Sequence, residues 1–335
     1  MARVEDALYE RRSLVRVIGM RQTLFVEPAP MVGVIDAACT KALAPAERRR
    51  LIGLIAQQVV PEDAAVWLED VSTRTLEALA ARGEATAREL TADVPELATK
   101  LAFGQGTTWG GQMGLSTRVL FLLAIEGRIV RARPLGSWTS GQYRWALIER
   151  WLGGGIEPIA PSEARADLLR RWLRTFGPAT LTDVRWWAGW TARLATSTLH
   201  AIGAVEVVLA HESEPAWVLP DDLETEPSPG PWVALLPSLD PTTMGWKRRG
   251  WYVGAHAVEL FDRNGNAGAT IWADGRIVGA WATSADGTVR TGLVERVSQR
   301  TARAIEAERR SLQAWLGDVR VRARFHSPLE RRLGG

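Results

Sequence analysis

Between Ala164 and Phe176 the apolar residues Leu168, Leu169, Trp172, Leu173 and Phe176 recur at spacings of three and four, which predicts a helix with one apolar face. Arg165, Arg170, Arg171 and Arg174 fall mostly on the other face. Gly177 stops this helix, and Thr180, with Asp183 three residues on, predicts a weak capping box for a second helix from about Leu181. That helix carries Val184, Trp187 and Trp190 and ends near Gly189 to Trp190. A third helix is expected over 192–202, closed by Gly203, and 205–209 and 216–219 read as the two strands of a wing. The order is that of a winged helix-turn-helix.

The same grammar occurs upstream. Leu76 and Leu79 lie on a predicted helix ending at Gly83, Thr86 and Glu89 make a capping box, and a helix over 116–126 stops at Gly127 and feeds a strand over 128–133. Both stretches contain Gly-x-Ala-Thr, at Gly83 to Thr86 and at Gly177 to Thr180. An internal repeat of one supersecondary unit is the economical reading. Caps and glycines recur in unrelated helix-turn-helix segments, so the pattern by itself leaves coincidence open.

Around the repeats the periodicity changes. A short helix over 3–12 precedes a hairpin of 14–18 and 23–26 turning at Gly19, which is the tail of a winged helix without its head; the chain is expected to begin inside a domain. Residues 31–58 read as helical and contain Arg48-Arg49-Arg50, and 103–114 as a polar loop around Trp109. Beyond an acidic, proline-rich linker at 221–231 the helical period disappears. Strands are expected at 232–236, 251–253, 270–273, 276–281 and 289–293, with Asn264-Gly265, Asp274-Gly275 and Asp286-Gly287 as turns, then a helix over 297–316 and a closing strand over 319–325. The expected fold is α+β: tandem winged helices followed by a small C-terminal antiparallel β-barrel. The expected domains are 1–60 (a partial winged helix and connecting helix), 61–155, 156–226 and 227–335.

Composition narrows the function classes. The 335 residues carry a formal charge of +3, and Arg far outnumbers Lys, which occurs only at Lys41, Lys100 and Lys247. Arginine richness fits a nucleic-acid footprint and equally a coding bias. Cys39 is the only cysteine, which excludes an intramolecular disulfide and a cysteine metal cluster, and the four histidines show no metal-ligand spacing. No metal, cofactor or membrane span is expected, and the protein reads as soluble and cytoplasmic.

The residues that could carry function are basic and aromatic. Arg128, Arg131 and Arg133 alternate along one predicted strand, and Trp138 and Arg144 follow; such a wing suits a phosphate backbone or is merely solvated. The densest polar cluster, Leu239 to Arg249, combines Asp240, Trp246 and the cations Lys247, Arg248 and Arg249. It would hold phosphates around a stacking tryptophan, or it is a solvated loop with a buried tryptophan. Asp262 to Asn266 has the composition of a calcium loop but lacks its far-end acid, so it reads as a turn.

The run Ser13 to Arg21, Gly136-Ser137-Trp138, Gly177 to Thr180, Leu239 to Trp246 and Asp274 to Trp281 together resemble the winged-helix DNA-binding proteins related to the AlkZ and YcaQ DNA glycosylases. The resemblance spans nearly the whole chain and implies tandem winged helices and a C-terminal barrel gripping duplex DNA. Relatives excise alkylated purines, and some unhook interstrand crosslinks or remove bulky antibiotic adducts. It implies that Arg16, Arg21, Gln22, Lys247, Arg248 and Arg249 contact phosphates or the lesion face. The family's Gln-x-Gln or Gln-x-Asp motif, placed upstream of the hairpin, occurs nowhere in this chain. Asp240 is then the best carboxylate for polarising water at the anomeric carbon of damaged DNA. The expected partner is double-stranded DNA, bound by a monomer. The alternatives are a non-catalytic damage binder and a transcriptional regulator, which would dimerise on a palindrome.

Overall fold

A computed structural model describes residues 2–335 except 105, 107–109, 137–139, 211, 225, 322, 324 and 325. The chain is mixed α/β and divides into two compact units, residues 1–171 and 172–335.

The first unit opens with α1 (Ala2–Glu5), extended by a π-helical turn to Glu10, and a hairpin of β1 (Leu14–Ile18) and β2 (Leu24–Pro28) in which Arg16 stands opposite Val26. The single helix expected over 31–58 is broken. α2 (Met31–Ile35) passes through π and 3-10 turns into α3 (Ala44–Gln58), because Pro45 has no N–H to give an upstream carbonyl and the regular ladder restarts there. The repeat unit follows: α4 (Ala64–Arg82), β3 (Glu84–Thr86), α5 (Ala87–Asp93), the hairpin β4 (Lys100–Phe103) with β5 (Gly111–Gly114), α6 (Leu115–Ile125), β6 (Ile129–Pro134), β7 (Tyr143–Leu147) and α7 (Ile148–Leu152). The expected polar loop is therefore a hairpin at both its ends, and the Gln58 amide clamps it by bonding both the N–H and the carbonyl of Ala102. Trp109 lies outside the described residues. Leu68, Val71, Leu79, Leu90, Leu115, Val119 and Ile129 are buried together beneath the sheet, whose order is β3-β7-β6.

The boundary between units falls within α8 (Pro161–Phe176). The second unit repeats the sequence of elements with β8 (Ala179–Thr180), α9 (Leu181–Ala188), α10 (Ala192–Ala201), β9 (Val205–Val207) and β10 (Ala216–Val218), in sheet order β8-β10-β9. The two sheets match in register: Ala85 pairs with Trp145 and Thr86 with Arg144, as Ala179 pairs with Trp217 and Thr180 with Ala216. Thr86 with Glu89, and Thr180 with Asp183, form complete capping boxes.

The remainder contains β11 (Val233–Leu236), the short helices α11 (Pro241–Met244), α12 (Gly250–Val253) and α13 (Ala257–Leu260), then β12 (Thr270–Ala273), β13 (Arg276–Thr283), β14 (Val289–Leu293), α14 (Gln299–Leu316) and α15 (Pro328–Gly334). These strands form an open sheet in the order β11-β12-β13-β14, and no closed barrel is found among the described residues. Closure is unnecessary because helices cover both faces. Ile271, Val278 and Trp281 pack with Ile305 and Leu316 of α14, whereas Trp272, Ile277 and Ala280 pack with Tyr252, Leu260 and Leu329 of α12, α13 and α15. The strand expected at 251–253 is instead α12, which turns Tyr252 fully inward onto Trp272, with ring centroids 5.1 Å apart; burial overrides the strand propensity of its aromatics. Val319, Arg320, Val321 and Ala323 are not in a strand, and the rest of that expected closing strand is partly outside the described residues.

One carboxylate joins the second repeat to this sheet. Asp183 is 2% exposed; one oxygen accepts from the Thr180 N–H (3.1 Å) and hydroxyl (2.7 Å), and the other from the Lys247 and Arg248 N–H groups (2.9 and 2.8 Å). Trp246 is held beside it, its indole N–H donating to the Phe176 carbonyl at 2.9 Å, and a Cβ on Gly245 would lie 2.4 Å from the Phe176 ring. Asp183→Ala strands the buried Thr180 N–H and the part-buried Lys247 and Arg248 N–H groups at once and is expected to destabilise the second unit by roughly 3 kcal/mol. Glu89→Ala removes only a cap and is expected to cost about 1 kcal/mol. Urea denaturation of the two variants measures the difference.

Candidate nucleic-acid interface

Arg12, Arg16, Arg131 and Arg133 of the first unit lie against aromatic rings. The Arg16 guanidinium donates to the Tyr9 hydroxyl, and Arg133 lies 4.5 Å from the centroid of the same ring while pairing with Glu10 at 2.7 Å. On β6, Arg131 sits 4.4 Å over Tyr143 and 5.6 Å over Trp145, and its buried Nε has no partner among the described residues. Burial holds its guanidinium below the ordinary value, Tyr143 partly opposing and Arg16 adding to the depression. At Arg131 ring faces take the place of carboxylates in steadying a cation. Arg128 is exposed before β6, and Trp138 lies outside the described residues. Arg21 and Gln22 are exposed at the hairpin tip, both in left-handed backbone (φ 54° and 58°).

Below Arg16 and Arg131 is a small void of about 30 Å³, also lined by Thr40 and Asp36. Burial raises the Asp36 carboxyl above its usual range, with Lys41 opposing.

Beside this sheet the surface opens into a groove of about 860 Å³ between the start of α5, the outer face of α6 and β7. Five arginines line it, Arg82, Arg88, Arg118, Arg131 and Arg144, against the single carboxylate Glu89. Arg82 is paired with Asp93 and Arg118 donates to the Met113 sulfur, but neither Arg88 nor Arg144 is hydrogen-bonded or ion-paired among the described residues. Arg88 and Arg118 are not evident as site residues from local sequence, because each stands alone on its helix. Superposing the two Gly-x-Ala-Thr repeats would have flagged Arg88, opposite Thr182.

The cluster at 239–249 is largely engaged in folding. Asp240 caps α11, with one carboxylate oxygen accepting from the Thr242 N–H at 2.9 Å. Arg248 bridges Glu212 (2.8 Å) and Glu214 (3.2 Å). Arg249 donates to the Gly265 carbonyl at 2.9 Å and lies 4.5 Å over Phe261 and 5.3 Å over Trp186. Lys247 gives its N–H to Asp183 and keeps its side chain exposed, and Trp246 is half-buried among Phe176, Trp251 and Tyr252. Asp262 accepts from the Asn264 and Asn266 N–H groups, so that segment is a turn. No group of side chains suited to a metal ion, and no helix long and apolar enough to cross a membrane, occurs among the described residues.

Asp36 supplies a test of the buried electrostatics. Its folded pKa lies above the unfolded one, so the native state binds the proton more tightly and stability falls as pH rises through the window between them. Asp36→Asn keeps the volume and removes the charge. Urea midpoints between about pH 4 and about pH 7 are expected to drop less with rising pH in the variant than in the parent.

Comparison with known proteins adds three findings. The family described as DNA glycosylase AlkZ-like matches residues 1–315. No match is found among curated proteins. Among solved structures, the Streptomyces sahachiroi DNA glycosylase AlkZ is similar in fold, with a TM-score of 0.69 at 19% identity, covering 95% of this chain and 84% of that one. With nearly its whole length matched, the chain belongs to the AlkZ-like family of DNA glycosylases, and DNA repair is its field of action.

Proposed function

We propose that the protein binds duplex DNA as a monomer and hydrolyses the N-glycosidic bond of a damaged purine. Its paired helix–sheet units are read as tandem winged helices. The observation that carries the DNA-binding half is the groove with five arginines and one carboxylate, a charge balance suited to a polyanion. Family membership supports the excision half. An alkylated purine is a cationic leaving group, so the protein has to stabilise an oxocarbenium-like sugar and orient one water.

In this reading Asp240 supplies the negative charge. Its second carboxylate oxygen has no hydrogen-bond partner among the described residues, while the first fixes the side chain by capping α11. Asparagine caps helices about as well as aspartate. Asp240→Asn is therefore expected to fold and to bind DNA as the parent does, and to lose at least tenfold in the rate of base release. Alkali-induced strand cleavage of a duplex carrying 7-methylguanine measures this. An unchanged rate would remove Asp240 from the chemistry, and no release by the parent would remove the glycosylase reading.

A further inference from the structure

The two repeats share one groove but not its charge or its contents. In the second repeat the groove is filled by the chain's own segment 246–249. Thr182, two residues after the capping threonine, gives its N–H to Glu214 at 3.0 Å, and Glu214, three residues before the wing tryptophan Trp217, holds Arg248 at 3.2 Å. Asp183 takes the Lys247 and Arg248 N–H groups. The socket is acidic and its occupant is basic.

Position by position, the first repeat inverts this. Arg88 stands where the second has Thr182, Gln142 where it has Glu214, and Arg144 where it has Ala216; opposite the wing tryptophan, Arg131 replaces Glu206. The capping carboxylate survives as Glu89, but both its bonds go from one oxygen to Thr86 and no chain segment docks on it. The second repeat folds without arginine at any of these positions, so the fold does not require them. Arg131 is spent on the rings of Tyr143 and Trp145, whereas Arg88 and Arg144 line the open groove without a hydrogen-bond or ion-pair partner among the described residues.

We infer that the first-repeat groove holds the phosphate backbone of the DNA, gripped by Arg88, Arg144 and Arg118, and that the matching groove of the second repeat is closed to DNA by residues 246–249. This rests on the DNA-binding reading above and assigns it to one of two equivalent surfaces. Arginine is the residue suited to such a site, since its planar fork meets two phosphate oxygens at once.

The test titrates the full chain against a fluorescein-labelled, undamaged 20-base-pair duplex at several salt concentrations. The double variant Arg88→Ala/Arg144→Ala is compared with Arg193→Ala, which removes an exposed cation from α10 of the second repeat. Each phosphate contact contributes about 0.9 to the slope of log K against log salt. The double variant is expected to lose about 2 from that slope and at least tenfold in affinity near 0.1 M salt, with an unchanged melting temperature, while Arg193→Ala matches the parent. A parent-like slope in the double variant, or an equal loss in Arg193→Ala, overturns the assignment and leaves DNA binding standing. A parent that fails to bind the duplex even at low salt overturns both.

Discussion

A carboxylate taken out of water has to be repaid by donors around it, and Asp183 is where the second unit meets that demand. Two of its donors come from Thr180 in its own capping box and two from the main chain of Lys247 and Arg248. Because those last two are backbone groups, the carboxylate fixes the path of the segment rather than the rotamer of any side chain. Gly245, Trp246 and Arg249 are then placed by the same anchor. The aromatic series Phe176, Trp246, Trp251, Tyr252 and Trp272 leads from the end of α8 to the C-terminal sheet. Tyr252, at the centre of that series, is completely buried, and burial raises its hydroxyl far above the usual phenol range.

The first repeat shows the same local device without the burden. Glu89 closes a capping box of identical form, yet it remains partly exposed and nothing folds down on it. A longer acid in the same place, one methylene further from the backbone, faces the arginine groove instead of a peptide. The two helix–strand–helix–strand units thus have sheets of the same register but different residues around them, arginines beside the first and carboxylates beside the second.

Local signals in the chain were the most legible. Capping threonines, terminating glycines and Gly-x-Ala-Thr located the helices of both repeats to within a few residues, because these signals act through bonds to the adjacent backbone. The misses have tertiary causes. Trp251 to Val253 has strand composition but becomes helical to bury Tyr252, and a run of strands suggested a barrel because the helices that cover both sheet faces cannot be inferred from strand spacing. The candidate site was legible in part: the alternating arginines of β6 were visible, whereas Arg88 and Arg118 come together only once α5 and α6 are packed beside β7. Arg248 and Arg249, conspicuous as a run of cations, turn out to be engaged within the fold, Arg248 through its terminal nitrogens by Glu212 and Glu214, Arg249 by the Gly265 carbonyl and two aromatic faces.

The filled groove of the second repeat also has a kinetic meaning. Its occupant is covalently tethered, so it competes for the acidic socket at an effective concentration on the order of millimolar or above, and dissociation of the segment is followed by recapture rather than escape. A free basic peptide at far lower concentration competes poorly for that socket. The open groove, lacking a tethered rival, responds to whatever polyanion the solution offers.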